Sequence, residues 1–198
     1  MRTRNLTLII IVAVILIFGG CACSGYNGLV AKDENVKNKW ANVQSDYQRR
    51  SDLIPNLVNT VKGAANFEQT TLTNVVEARA KATQVQINAN DLTPENLAKF
   101  QQAQAGLSGA LGRLLAVAEA YPDLKATQNF RDLQAQLEGT ENRISQERMR
   151  FNEAAQGFNT KRSSFPTVIV AGFFGSKFQE KPFFKSTAGA EKPPEVKF

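Results

Sequence analysis

Arg49, Arg50 and Asp52 form the sharpest polar cluster in this chain. A second cluster, Glu138, Glu141, Asn142, Arg143, Glu147 and Arg148, mixes charges at helical spacings. Paired arginines beside a carboxylate can grip an acidic partner or close an ion pair between helices. Moving a proton or attacking a bond needs more. The 198-residue chain has no histidine, which removes the commonest general base and the commonest imidazole ligand. Carboxylate-bridged metal sites in helical bundles need Glu-x-x-His pairs on facing helices, and that pairing is absent. Lys161 and Arg162 stand beside the hydroxyls of Ser163 and Ser164 with no third group to activate them. No glycine loop has phosphate-binding spacing. The chemistry on offer is recognition, and no catalytic, cofactor or metal site is expected.

Arg49, Arg50, Asp52, Glu138 and Glu141 are therefore the candidate partner-binding residues. Arg50 carries a second expectation, because it falls on an apolar seam. Its stem should pack while its guanidinium snorkels to Asp123, Asp132, Glu138 or Glu141. Gly139 costs a helix about 1 kcal/mol and is expected to mark close packing or a docking point. Gly106 and Gly109 lie inside a helical pattern, where they are expected to admit a neighbouring helix.

The elements that must position these residues are helical throughout. A stripe of Leu29, Val36, Trp40, Val43, Tyr47, Ile54, Leu57 and Val61 advances by steps of three and four, the period of a packing seam. Pro55 removes an amide donor and crowds the carbonyl four residues back, so a break or kink is expected near Ser51–Ile54. The stripe resumes through Leu72, Val75 and Ala82 and ends near Gln86. Asn and Asp in residues 87–93 supply turn chemistry. Thr93 followed by Pro94 reads as a capped helix start. Two further seams follow, Leu97 to Tyr121 and Phe130 to Phe158. Helices are expected near 27–51, 54–86, 94–121 and 123–160, forming an all-α, elongated antiparallel bundle. It is up-and-down, with four helices if Pro55 breaks the first, or three if Pro55 only kinks it.

The N-terminus stands apart. Arg2 and Arg4 precede Leu6–Phe18, a 13-residue run with Thr7 as its only polar side chain, followed by Gly19, Gly20 and Cys21. That layout suits an exported chain. Either Leu6–Cys23 persists as a short transmembrane helix, or the chain is cleaved before Cys21, which then carries lipid. Both put the bulk of the chain outside the cytoplasm, on the periplasmic or extracellular side. The two cysteines, Cys21 and Cys23, both lie here, so no disulfide is expected in the exported part. Without Arg2 and Arg4, the 24 basic residues fall to 22 against 18 acidic ones. They are interspersed rather than blocked, which argues against nucleic acid. Four regions result: an anchor at 1–25, a bundle at 26–162, a Phe-rich segment at 163–185 and a polar tail at 186–198 expected to be disordered. The Phe-rich segment either folds over the bundle or meets the membrane.

Two stretches carry a resemblance. They are ANVQSDYQRRSDLIPNLVNTVKGAANFEQTTLTNVVEAR at 41–79 and YPDLKATQNFRDLQAQLEGTENRI at 121–144. Together they closely resemble the LemA family of bacterial membrane-anchored helical proteins, over about Tyr26 to Phe184. The resemblance implies a long helical bundle and attaches no established biochemical activity. It also implies partners among envelope proteins such as membrane metalloproteases or TPM-domain proteins, whose genes neighbour those of the family. The expected function is a non-catalytic envelope scaffold or adaptor. The alternative is a lipid-interacting module acting through the Phe-rich segment.

Overall fold

In the computed structural model the described residues are 2–63 and 68–185, and all regular structure among them is α-helical. The order is α1 (Arg2–Lys62), α2 (Gln69–Gln84), α3 (Pro94–Ala118), α4 (Pro122–Ala126), α5 (Gln128–Ser163) and α6 (Thr167–Phe173). Contact partners give the directions. Asn42 meets Glu147 and Arg50 meets Glu141, so α1 and α5 run antiparallel. Trp40 meets Ile87, just beyond the end of α2, and Ser51 meets Arg79, so α2 also opposes α1. Trp40 touches Phe100 and Arg50 touches Ser108, so α3 runs with α1. The four long helices thus go up, down, up and down.

Of the two outcomes expected at Pro55, a break or a kink, the break does not occur: α1 runs through it to Lys62. The physical reason lies on α2. Proline lacks the amide that would bond the Ser51 carbonyl, and Arg79 Nε donates to that carbonyl instead, at 2.9 Å. With its orphan acceptor satisfied, the helix continues to Lys62. The helix expected at 54–86 therefore divides between α1, which ends at Lys62, and α2, which begins at Gln69. The far end of the rod consequently joins Thr60 and Gly63 to Tyr121, Asp123 and Thr127 around a cleft of about 550 Å³. Residues 49–56 lie within α1 rather than at that end.

Other boundaries follow the capping chemistry. Thr93 Oγ1 accepts from the Asn96 amide at 3.2 Å, with Pro94 in the first turn. Thr127 caps α5 by accepting from the Phe130 amide at 3.4 Å. Asn88 Oδ1 accepts from the Asn90 amide in the α2–α3 turn.

The seams bury two adjoining clusters. One holds Trp40, Tyr47, Phe100, Phe151, Phe158, Phe178 and Phe184 with smaller side chains. The other is mostly aliphatic: Ile54, Leu57, Val61, Leu72, Val75, Leu107, Leu114 and Leu137 among them. Gly106, Gly109 and Gly139 correct the close-packing expectation. A Cβ at any of them would meet nothing within 4 Å.

The apolar N-terminal run forms the first turns of α1. Its described large side chains, Leu8 to Val12, Ile15 and Leu16, are exposed. Among the described residues, no helix is long and apolar enough to cross a membrane. The side chains of residues 1–4, 6, 7, 14, 17 and 18 lie outside that description, as does the 186–198 tail.

Candidate functional site

Arg50 reaches the site because α1 stays helical through it, which keeps the residue on the buried seam. It is 1% exposed. Nη1 donates to Ser108 Oγ at 2.8 Å and to the Glu141 carboxylate. Nη2 donates to Gln104 Oε1 at 2.6 Å, and the Gln104 amide reaches on to the Ala82 carbonyl at 3.4 Å. The guanidinium lies 5.0 Å from the centroid of the Tyr47 ring. Arg50 therefore joins α1 to α3 and α5 directly, and Gln104 extends the network to α2 at the same level of the rod. Planarity and five donors make arginine, rather than lysine, the residue that can do this.

Of the four carboxylates that could have met Arg50, Glu141 is the one that does. Its side chain is 46% exposed, so the pair is dry on one side and wet on the other. The wet side opens into a cleft of about 440 Å³ lined by Tyr47, Gln101, Ser108, Glu141 and Arg148. Burial pushes the Tyr47 hydroxyl above its ordinary pKa, against the opposing pull of Arg148 and Arg50. On the other flank of Tyr47, a cleft of about 350 Å³ is lined by Gln44, Ser51, Thr83, Phe100 and Gln104. The buried Ser51 hydroxyl has no hydrogen-bond partner there.

The remaining candidates are brought near but not together. Arg49, Asp52 and Glu138 are all exposed. The antiparallel register set by Arg50 and Glu141 puts Asp52 and Glu138 at the same height. Asp52 accepts from Gln48 and Glu138 from Gln134, each within its own helix. Cys21 is exposed on α1. Arg162 Nε donates to the Phe178 carbonyl at 2.7 Å, and Lys161 lies beside Gly28 of α1. Among the described residues, no group of three or more metal-ligating acids or thiols converges.

A second polar system was not visible from spacing. Residues 178–185 run extended along α5, held by asparagine carboxamides. Asn159 accepts from the Lys181 amide and donates to its carbonyl, both at 2.9 Å. Asn152 does the same for Phe184, at 2.8 and 3.0 Å. Seven helical residues rise about 10.5 Å and three extended residues span about 10 Å, so the two clamps fall in register. Lys181 then reaches across to α1, its ammonium 2.6 Å from Asp33 Oδ1 as a charge contact rather than an aligned hydrogen bond. Lys37 pairs with the other oxygen at 2.9 Å. Burial raises the Asp33 pKa, but Lys181 and Lys37 outweigh it and hold the carboxyl below its ordinary value of 3.8. Lys37 is raised in turn, first by Glu34 and then by Asp33. Two asparagines seven residues apart on a helix carry no such meaning until an extended segment lies beside them.

Fold and site thus define an all-helical protein organised around an internal arginine and closed by its own C-terminal segment. The chain belongs to the LemA family, whose profile matches residues 39–198. It is 27% identical to Magnetosome protein MamQ 2 of Paramagnetospirillum magneticum, over 88% of this chain and 72% of that protein. Magnetosome protein MamQ of Magnetospirillum gryphiswaldense is also 27% identical, over 79% of this chain and 65% of the relative. Protein LemA of Metamycoplasma hominis is 25% identical, over 73% and 63%. None of these names denotes an enzyme.

Proposed function

We propose that this protein is a membrane-tethered, non-catalytic scaffold of the bacterial envelope. In this reading Leu6–Cys23, or lipid on Cys21, fixes it to the membrane, and the bundle stands outside the cytoplasm as a docking post for another membrane protein. The observation that carries the reading is α1. A single helix runs from the apolar segment through Tyr47 and Arg50 to Lys62. Residues 26–62 rise about 55 Å at 1.5 Å each, with no hinge between anchor and bundle. A rod of this kind holds a partner at a fixed height, which suits assembly better than turnover. Relatives named as magnetosome proteins are compatible with such a role. The partner face is the exposed band around Arg49, Asp52, Glu138 and the wet edge of Glu141. A membrane protease or a TPM-domain protein is the class of partner that the family resemblance suggests.

Photo-crosslinking in intact cells tests this. A crosslinker at Asp52 or Glu138 should capture one stoichiometric protein, and one at Met149, exposed elsewhere on α5, should not. Capture of nothing from any of the three positions would overturn the adaptor reading. Intact mass separates the two tethers. Retention of Arg2 excludes lipidation at Cys21, while loss of residues 1–20 with added acyl mass excludes the transmembrane helix.

A further inference from the structure

The Phe-rich segment divides into two parts with opposite fates. Phe178 and Phe184 are core residues. Phe165, Val168, Ile169, Phe173 and Phe174 are exposed, with Phe165 at 80% and Phe173 at 88%. These exposed residues surround α6, whose other face, Thr167, Val170 and Ala171, is buried. A helix that is apolar on both faces has one face left without a partner.

The position of α6 identifies what covers that face. Gly25 is where α6 is seated: a Cβ there would lie 3.5 Å from the Val170 side chain and 3.7 Å from Thr167. The next residue, Tyr26, packs edge-on against Phe174 and Phe178 at 5.1 and 5.5 Å between ring centroids. Helix α1 is continuous here, so heights along it can be counted. Gly25 is about 3 Å beyond Cys23 and about 6 Å beyond Cys21. The polar layer of a bilayer is about 5–7 Å deep on each side. Whichever tether operates, α6 falls at headgroup level.

Charge agrees with height. From Lys161 to Phe178 the chain carries Lys161, Arg162 and Lys177 and no acidic residue. Lys161 passes beside Gly28, one helical turn above Gly25. Lys177 donates to Tyr26 Oη at 2.6 Å. The segment that carries the apolar face thus brings three cations and no acid to the level where phosphates would stand.

We infer that α6, with Phe165 and Phe173 at its ends, is a membrane foot that inserts its free face into the anionic surface of the bilayer holding the N-terminal segment. The inference rests on the tether of the proposed function and adds a second contact. One helix would leave the rod free to tilt and spin. The second contact fixes which side faces outward, and with it the direction in which the Arg49 and Glu138 band points.

The full-length chain in vesicles tests this with Phe173→Trp, a substitution at a side chain that packs on little else. The parent supplies Trp40, fully buried, as the background. Met149→Trp supplies an exposed control on α5. In vesicles of phosphatidylcholine and phosphatidylglycerol with bromines near the glycerol end of the acyl chains, Phe173→Trp should show blue-shifted emission. Its added fluorescence should fall about twofold or more, as for an interfacial ring. Met149→Trp should be unaffected. Omitting phosphatidylglycerol should reduce the quenching, and quenching equal in both vesicles overturns the anionic component. A chain that floats with the vesicles while Phe173→Trp is quenched no more than Met149→Trp overturns the foot and leaves the tether standing. A chain that does not float overturns the tether itself.

Discussion

The half of the rod nearest the N-terminal segment is packed with aromatic rings, and the far half is packed mostly with branched aliphatic side chains. Helices α1 and α5 run through both, so the difference lies in what forms the remaining wall. In the far half it is the α2–α3 hairpin. A helix satisfies its own backbone, so it needs only ridges of Leu, Val and Ile to pack. In the near half the start of α3, the α2–α3 turn and α6 share the wall with the extended segment at 178–185. An extended segment brings unsatisfied amides and carbonyls, and these must be met by someone else's side chains. Asn152 and Asn159 meet them, and large rings from Trp40, Phe151 and Phe184 fill the wider gap an irregular wall leaves. Trp40 and Phe151 lie 5.7 Å apart and Phe151 and Phe184 5.3 Å apart, both edge-on. The indole Nε1 also donates to the Ile87 carbonyl at 3.1 Å.

Arg50 stands where the two halves meet, and breaking it should have the largest effect. Arg50→Ala opens a cavity, strands the Gln104 amide oxygen and unpairs Glu141, and should cost about 3 kcal/mol in denaturant unfolding. Arg50→Met with Glu141→Leu should recover most of the loss, because apolar replacement removes the charge and its partner together. A double variant as unstable as Arg50→Ala would show that the loss is of the four-helix network rather than of a charge.

The next effect belongs to the far half. Arg79→Ala frees the Ser51 carbonyl that Pro55 cannot serve, at a cost of about 1–2 kcal/mol. Restoring the amide by Pro55→Ala should make Arg79 nearly dispensable, since the helix then caps its own carbonyl. Equal losses from Arg79→Ala in both backgrounds would sink this account of the unbroken helix. It also explains what the sequence could not convey. Heptad spacing gave the seams, and Thr93 with Pro94 gave a boundary, because both signals are local. The continuity of α1 depends on a side chain 24 residues beyond Pro55, reached only once α2 has packed. Arg50 was legible as a seam violation, but the choice of Glu141 among four acids needed the register. The asparagine clamps were illegible because helical periodicity reports helix against helix, and their partner is extended.

In the near half, Asn159→Ala should cost about 1 kcal/mol in global stability while greatly raising hydrogen exchange at residues 178–185. Acid should act on the same wall. The Asp33 carboxyl is held below its ordinary value, so its contribution is full above about pH 4 and is lost as pH falls through the lowered value. Tail exchange in the parent, corrected for intrinsic pH dependence, should rise below pH 4, and Asp33→Asn should flatten that rise. Acid-induced opening of the far half before the tail would contradict the assignment.

The smallest stability effect is expected one residue from the largest. Arg49 is exposed beside a residue that is almost fully enclosed, because a helix turns by about 100° per residue. Arg49→Glu removes no buried contact, so its unfolding free energy should stay within about 0.5 kcal/mol of the parent. It does reverse the charge beside Asp52 and at the height of Glu141, in the middle of the band proposed to face a partner. Reversal at a rim charge slows association and changes its salt dependence. Crosslinking from Glu138 in cells should therefore drop in Arg49→Glu while the protein's level and melting temperature hold. Arg50→Ala, by contrast, should lose both together. If Arg49→Glu destabilises the fold as Arg50→Ala does, the band is structural. If it alters neither stability nor capture, the partner face lies elsewhere on the rod.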